Sequence, residues 1–193
     1  MINILVVLGE GGHTKEMITL VNMLAEPRGA GVSPASFERD AQETPTHTRG
    51  AGVSPASSKP DIAFGYMMVD DDLVSESKIC QPGPIYRVMR PRDKEHHLIR
   101  DACKTLFSAW QSWSALRAFK PDAVLTSGPS VAVPVCILAR LTGRRVLFVE
   151  TGSRVTELSL TGKILYRVAT VFFVQWPELA ERYPRAIYAG RLF

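Results

Sequence analysis

Long apolar runs are missing from this 193-residue chain. The longest uninterrupted one, residues 131–139, contains Pro134 and falls far short of the roughly 20 residues that cross a bilayer. The N-terminus has no basic region, and its apolar stretch is too short for a secretory signal. Membrane contact, where it occurs, is therefore expected to be peripheral. Cysteine is scarce. Cys80, Cys103 and Cys136 are scattered without metal-ligand spacing, which points to no metal site and fits a reducing compartment. Cys103 and Cys136 fall in apolar stretches and are expected to be buried as small hydrophobes. Blocks of lysine and arginine are absent as well, which argues against nucleic acid as a partner. The net charge of +4 remains compatible with anionic lipid or a diphosphate. A hydrophobic content of 46% and a charged content of 22% are ordinary for a globular protein, and the length suits a single domain with a real core.

What the chain does have is a glycine turn close to its start. Residues 2–8 are β-branched and aliphatic, Gly9-Glu10-Gly11-Gly12-His13-Thr14 follows, and Met17, Leu20, Val21 and Leu24 then recur at helical spacing. Strand, glycine turn and helix in that order aim backbone N–H groups and the positive end of a helix at one point, a place for phosphate or carboxylate. The spacing is neither the dinucleotide fingerprint, which needs a third glycine two residues on, nor a P-loop, which needs Gly-Lys-Ser/Thr. A tight turn without a ligand is the plain alternative.

Residues 26–60 change character. RGAGVSPAS at 28–36 recurs unchanged at 49–57, and polar sequence without periodicity lies between the copies. Such composition cannot bury a core, so the segment reads as a disordered insert, with no role assigned to His47. Strands are expected at 61–69, 85–89, 122–126, 146–149, 171–174 and 186–188. Asp70, Asp71 and Asp72 read as a solvated loop. A long helix is expected at 94–119, with Ile99, Cys103, Leu106, Trp110, Trp113 and Leu116 as the stripe facing the sheet, a bilayer interface being the less favoured place for Trp110 and Trp113. Its starting residues His96 and His97 are expected to be solvated. Further helices are expected at 131–141 and 158–169, the latter capped by Ser159 or Thr161. Alternation of strand and helix means an α/β, doubly wound parallel sheet whose ligand crevice lies at the carboxyl ends of the strands. Three polar turns fall at that edge: residues 9–14, 127–130 and 150–154.

The segments GEGGHTKEM (9–17), SGPSVAVPVC (127–136), VETGSRVTELSLTGKILY (149–166) and VQWPEL with the following Tyr183-Pro184, Tyr188, Gly190 and Leu192 resemble one family. It is the acceptor-binding subunit of the two-subunit UDP-N-acetylglucosamine transferase of lipid-linked oligosaccharide assembly, together with its bacterial exopolysaccharide-type relatives. The resemblance implies the Rossmann-like N-terminal half of a GT-B glycosyltransferase. It implies inverting transfer of a sugar, N-acetylglucosamine foremost, from a UDP-sugar held by a separate donor-binding subunit to a polyprenyl-diphosphate-linked acceptor. No cofactor is implied, and no metal is needed where helix N-termini and basic residues carry the charge of the departing UDP. His13 becomes the candidate base. Gly9, Gly11, Gly12, Thr14, Ser127, Gly128, Ser130, Glu150, Thr151 and Arg154 become the candidate acceptor and diphosphate ligands. Arg87, Arg90 and Arg92 are candidates for phospholipid contact at the cytoplasmic face of a membrane, with a merely solvated basic strand end as the alternative. Trp176, Tyr183, Leu192 and Phe193 are candidates for the partner interface.

Two departures stand out. Glu10 replaces the small hydroxyl residue usual in the family's turn, and a carboxylate there repels a diphosphate unless it points away. Eukaryotic members begin with a membrane-spanning segment, whereas this sequence starts at the first strand, so anchoring by a helix is not carried over. A non-catalytic, membrane-associated adaptor that recruits a catalytic subunit remains open, as does a free-standing nucleotide-binding enzyme. Deleting residues 28–57 and joining the ends with a short glycine-serine link is expected to leave soluble expression intact and the thermal midpoint within about 3 °C. Loss of soluble protein would make the insert structural.

Overall fold

The computed structural model describes residues 1–9, 11–26, 61–90 and 98–192, with side chains in the last segment from residue 105 onward. Glu10, His47, Arg92, His96, His97, Phe193, the Cys103 side chain and the duplicated insert therefore lie outside the described residues. In chain order the elements are β1 (Ile2–Val7), α1 (Gly12–Ala25), β2 (Ile62–Val69), α2 (Leu73–Glu76), β3 (Ile85–Val88), α3 (Leu98–Phe119), β4 (Ala123–Thr126), α4 (Ala132–Leu141), β5 (Arg145–Val149), α5 (Leu160–Val168), β6 (Val171–Val174), α6 (Pro177–Arg182) and β7 (Ala186–Tyr188). The seven strands pair in parallel in the order β3-β2-β1-β4-β5-β6-β7.

Strands buried on both faces need no polar alternation, and the end of β1 has none: Leu5, Val6 and Val7, with Leu8 just after the strand, are all sealed from solvent. Its side chains divide between two cores by the period of two. Leu5 and Val7 pack with Val124, Val146, Phe148 and Phe172 on one face, and Ile4, Val6 and Leu8 pack with Phe64, Tyr66 and Leu125 on the other. Right-handed crossovers assign the helices to these faces. The step from β1 to β2 places α1 on the Val6 face through Met17, Ile18 and Val21. The steps outward from β4 place α4, α5 and α6 on the Val7 face through Val135, Leu165 and Leu179.

Local signals explain the helix ends. Ser159 caps α5, its Oγ accepting from Gly162 N at 2.9 Å. Gly143, with φ of +77°, closes α4. α2 and α6 were not anticipated. The first corrects the solvated reading of the aspartates: Asp72 is buried and caps α2, Oδ1 accepting from Ser75 N at 2.9 Å. Asp70 and Asp71 stay exposed.

The long helix exists, but only part of the expected stripe faces the core: Leu116 is sealed there, whereas Leu106 and Trp110 point outward, and the side chains of Ile99 and Cys103 lie outside the described residues. Leu106 and Trp110 are 72% and 64% exposed. The buried face is Ser108, Ser112, Ala115 and Leu116. Ser108 lies two positions from both Leu106 and Trp110, roughly 200° around the helix. Small side chains on that face let α3 sit close against its neighbours, and Phe119 fills the space over Gly65, where an added Cβ would lie 2.9 Å from the ring. Leu106→Ser and Trp110→Ser should therefore each change unfolding free energy by no more than about 0.5 kcal/mol, whereas Leu116→Ala should cost about 2–5 kcal/mol. Urea unfolding decides: comparable losses for all three variants would restore the expected stripe.

Candidate functional site

Strand order reverses between β1 and β4, and the crevice at such a reversal is where doubly wound sheets bind ligands. Both strands end there in glycine turns. Gly9 lies so close to the β4–α4 turn that a Cβ would sit 2.5 Å from Pro129 Cβ, so only glycine permits the approach. Gly11, at φ +69°, is the N-cap of α1, and no side chain caps the helix. The resulting cavity, of about 280 Å³, is lined by Leu8, Gly9, His13, Val69, Arg90, Gly128, Pro129, Ser130 and Val131. Arg90 is the charged group among its described lining residues, and it also pairs with Asp71 at 3.1 Å. Two uncapped or glycine-bearing turns and a guanidinium suit an anion.

His13 stands in the first turn of α1, half-buried, on the wall of this cavity. Its Nδ1 lies 3.2 Å from Ser127 Oγ. Ser127 is fully buried, and its hydroxyl donates to the His13 carbonyl at 3.3 Å. A serine has one hydroxyl proton. With that proton on the carbonyl, Oγ is left as the acceptor for Nδ1–H, and Nε2 keeps its lone pair. Where Ser127 donates to the carbonyl in this way, Nε2 is the basic nitrogen.

His13 also borders a second cavity, of about 330 Å³, lined by Gly12, Lys15, Glu16, Thr151, Gly152, Ser153, Gln175 and Arg191. Here the structure adds residues that the sequence reading passed over. Glu16 is 3% exposed and ties three elements together. Its Oε1 accepts from Gly152 N at 2.8 Å, Thr151 Oγ1 at 3.1 Å and Gln175 Nε2 at 3.2 Å. Its Oε2, also buried, has no hydrogen-bond partner among the described residues. The available signal was a carboxylate directly beside Met17 on the core-facing side of α1. No group of three or more histidines, cysteines or carboxylates able to hold a metal ion occurs among the described residues.

The family comparison accords with this geometry: oligosaccharide biosynthesis protein Alg14 like matches residues 4–192. The chain belongs to the Alg14-like family. Among curated relatives, the UDP-N-acetylglucosamine transferase subunit ALG14 of Rattus norvegicus is 33% identical over 197 residues, covering 99% of this chain and 83% of the relative. The subunit of Schizosaccharomyces pombe is 32% identical over 202 residues, covering 97% and 82%. Among solved structures, MurG of Acinetobacter baumannii aligns with a TM-score of 0.66 at 18% identity, covering 99% of this chain and 45% of MurG. The UDP-GlcNAc 2-epimerase of Neisseria meningitidis bound to UDP-GlcNAc aligns at 0.62 and 13%, covering 98% and 46%. At such identities the likeness is one of fold: this Alg14-like chain has the Rossmann-like half of a GT-B architecture and spans under half of these larger chains.

The Alg14-like motifs do not all line a cavity. Gly9, Gly128 and Ser130 line the first cavity, and Gly12 and Thr151 the second. Thr14 is sealed inside, where its hydroxyl bonds the Gly9 carbonyl and Ser75 Oγ, so it closes the turn rather than meeting a ligand. Glu150 is likewise removed from the ligand set. It is 0% exposed, and its Oε2 accepts from Ser159 N and Oγ at 3.1 and 3.2 Å. Arg154 is exposed and lines neither cavity. Arg87 pairs with Glu76, so neither Arg87 nor Arg90 is an uncompensated cation for lipid. The residues expected at the partner interface divide. Trp176 and Tyr183 pack on the Val7 face, Tyr183 edge-on to Tyr166 at 5.5 Å, while Leu192 packs on the opposite face.

Burial raises the Glu150 carboxyl above its ordinary value, against the lowering influence of Ser159, Thr151 and Arg154. A raised native pKa gives stability that is complete below the unfolded value and is lost as pH rises through the native one. The stability of the wild type relative to Glu150→Gln should therefore fall as pH rises from about 4 to 7 in urea titrations. A relative stability that climbs over this range would contradict the burial argument.

Proposed function

We propose that the chain is the acceptor-binding subunit of a glycosyltransferase that moves a sugar, N-acetylglucosamine foremost, from a UDP-sugar to a polyprenyl-diphosphate-linked acceptor. The carrying observation is His13: Nδ1 is held by Ser127, and the ring stands between an anion-compatible cavity and a polar one. In this reading the acceptor diphosphate occupies the cavity of Gly9, Gly128 and Arg90, and the acceptor sugar lies toward the second cavity. As the acceptor hydroxyl attacks the anomeric carbon, its proton passes to His13 Nε2, the new glycosidic bond forms and the bond to UDP breaks, inverting the anomeric configuration. Ser127 then acts through His13 rather than on the diphosphate.

The donor side belongs to a second chain. Support comes from the Val6 face of the sheet, where an apolar groove of about 300 Å³ runs between Leu20, Met23, Phe173 and Leu192. Met23 is 61% exposed there, and no helix among the described residues covers β6 and β7 on that side. Leu192 thus keeps its proposed place at the partner interface, while Trp176 and Tyr183 brace the chain beneath its C-terminal end. Peripheral attachment to a membrane is supported by Leu106, Phe107 and Trp110, exposed together on α3, rather than by the paired arginines. No helix among the described residues is long and apolar enough to cross a bilayer.

In a complex reconstituted with its donor-binding partner, His13→Ala should lower turnover on the order of 100-fold or more with the complex still assembled. A loss below about threefold would remove the base and favour the adaptor reading.

A further inference from the structure

Glu16 follows His13 by three residues on α1, so the two side chains share one face of the helix. One carboxylate oxygen of Glu16 carries three hydrogen bonds from the β5–α5 connection and the end of β6, and the other, also buried, carries none from the described residues. A buried oxygen without a donor is costly and calls for an explanation. The three bonds to Oε1 account for a structural tie, but they leave Oε2 over.

Glu16 lines the polar cavity beside His13, together with Lys15, Thr151, Ser153 and Arg191. This composition selects the ligand. A carboxylate is an acceptor only, so it wants an O–H or N–H. A phosphate would meet a like charge at Glu16, and an ammonium group would meet Lys15 and Arg191. A neutral molecule rich in hydroxyls meets neither obstacle.

We propose that Glu16 Oε2 is the recognition point for the acceptor sugar, accepting a hydrogen bond from a ring hydroxyl or amide N–H and so presenting the neighbouring hydroxyl to His13. This rests on the glycosyltransferase reading above and names a specificity-determining residue within it. Gln175 extends the same tie to the chain end, since its Oε1 accepts from Leu192 N at 3.0 Å. Glu16 is thereby held from the side on which the partner is proposed to dock.

The test is calorimetric titration of the full chain with farnesyl diphosphate and with farnesyl-diphosphate-linked N-acetylglucosamine, for wild type and Glu16→Gln. Glutamine keeps a carbonyl oxygen for the three donors and places an NH₂ where Oε2 stood. The expected result is a rise in Kd of about 10- to 100-fold for the sugar-bearing ligand, with Kd for bare farnesyl diphosphate and the thermal midpoint unchanged. Should the variant fail to fold, single-deoxy analogues of the sugar-bearing ligand titrated into wild type serve instead, and one of them should lose about tenfold or more. Equal affinity of wild type and a folded Glu16→Gln for the sugar-bearing ligand, or equal affinity of wild type for every deoxy analogue, would overturn the proposal. If wild type binds farnesyl diphosphate but gains nothing from the sugar, the sugar subsite alone is wrong. If it binds neither ligand, the acceptor-binding reading fails as well.

Discussion

The chain winds outward from β1 on one side and from β4 on the other, and right-handed crossovers then fix which face each helix takes; the structure follows from that constraint. The reversal leaves β1 and β4 adjacent, with their connections departing to opposite faces of the sheet. A crevice therefore opens at their carboxyl ends without any loop being shaped to make it. Both turns at the crevice are close-packed: Gly9 against Pro129, and Gly128, at φ +93°, over the Phe148 ring. Glycine is required there by contact as much as by conformation. The same winding leaves the outer strands β6 and β7 without a helix of the described chain on the Val6 face, where the apolar groove lies.

Polar residues at the crevice divide into those that build it and those that face into it. Thr14, Ser75 and Asp72 link the glycine turn to α2 through buried hydrogen bonds. Glu150 binds the β5–α5 connection to the start of α5, and Gly162 is needed because a Cβ there would lie 1.9 Å from Glu150 Oε2. Glu16 reaches across to Gly152 and Gln175. His13 is set against this fixed frame, so the direction of its ring depends on Ser127, in the turn after β4, rather than on its own turn. Such preorganisation is what a base requires, because a misplaced proton acceptor loses most of its effect.

The strands and the larger helices were legible because their signals are local: unbroken apolar runs for buried parallel strands, glycine and proline at the joints, and Ser159 ahead of α5. α2 was not legible, since four residues are too few to show a period and Asp72 looks like its exposed neighbours. Leu106 and Trp110 of the expected α3 stripe turned outward for a different reason, while Leu116 stayed in the core. The stripe's large apolar residues satisfy the helical period, but the face that meets the other elements is chosen by close approach, which favoured Ser108, Ser112 and Ala115. Within the site, residue type told that hydrogen bonding was in play but not with whom. Thr14 and Glu150 were read as ligand contacts and proved to be internal ties, whereas Arg90, read as a lipid contact, borders the crevice. Glu16 lay unremarked inside a recognised motif because a helix stripe is read by its apolar members.

The central claim is that the crevice between β1 and β4 receives the acceptor diphosphate. Amide chemical-shift mapping of the isotopically labelled full chain with farnesyl diphosphate tests this most directly. The account predicts saturable shifts that are largest at Gly11, Gly12, His13, Gly128 and Ser130, with no comparable response there to UDP. Shifts concentrated away from these turns, or the same response to UDP, would contradict it.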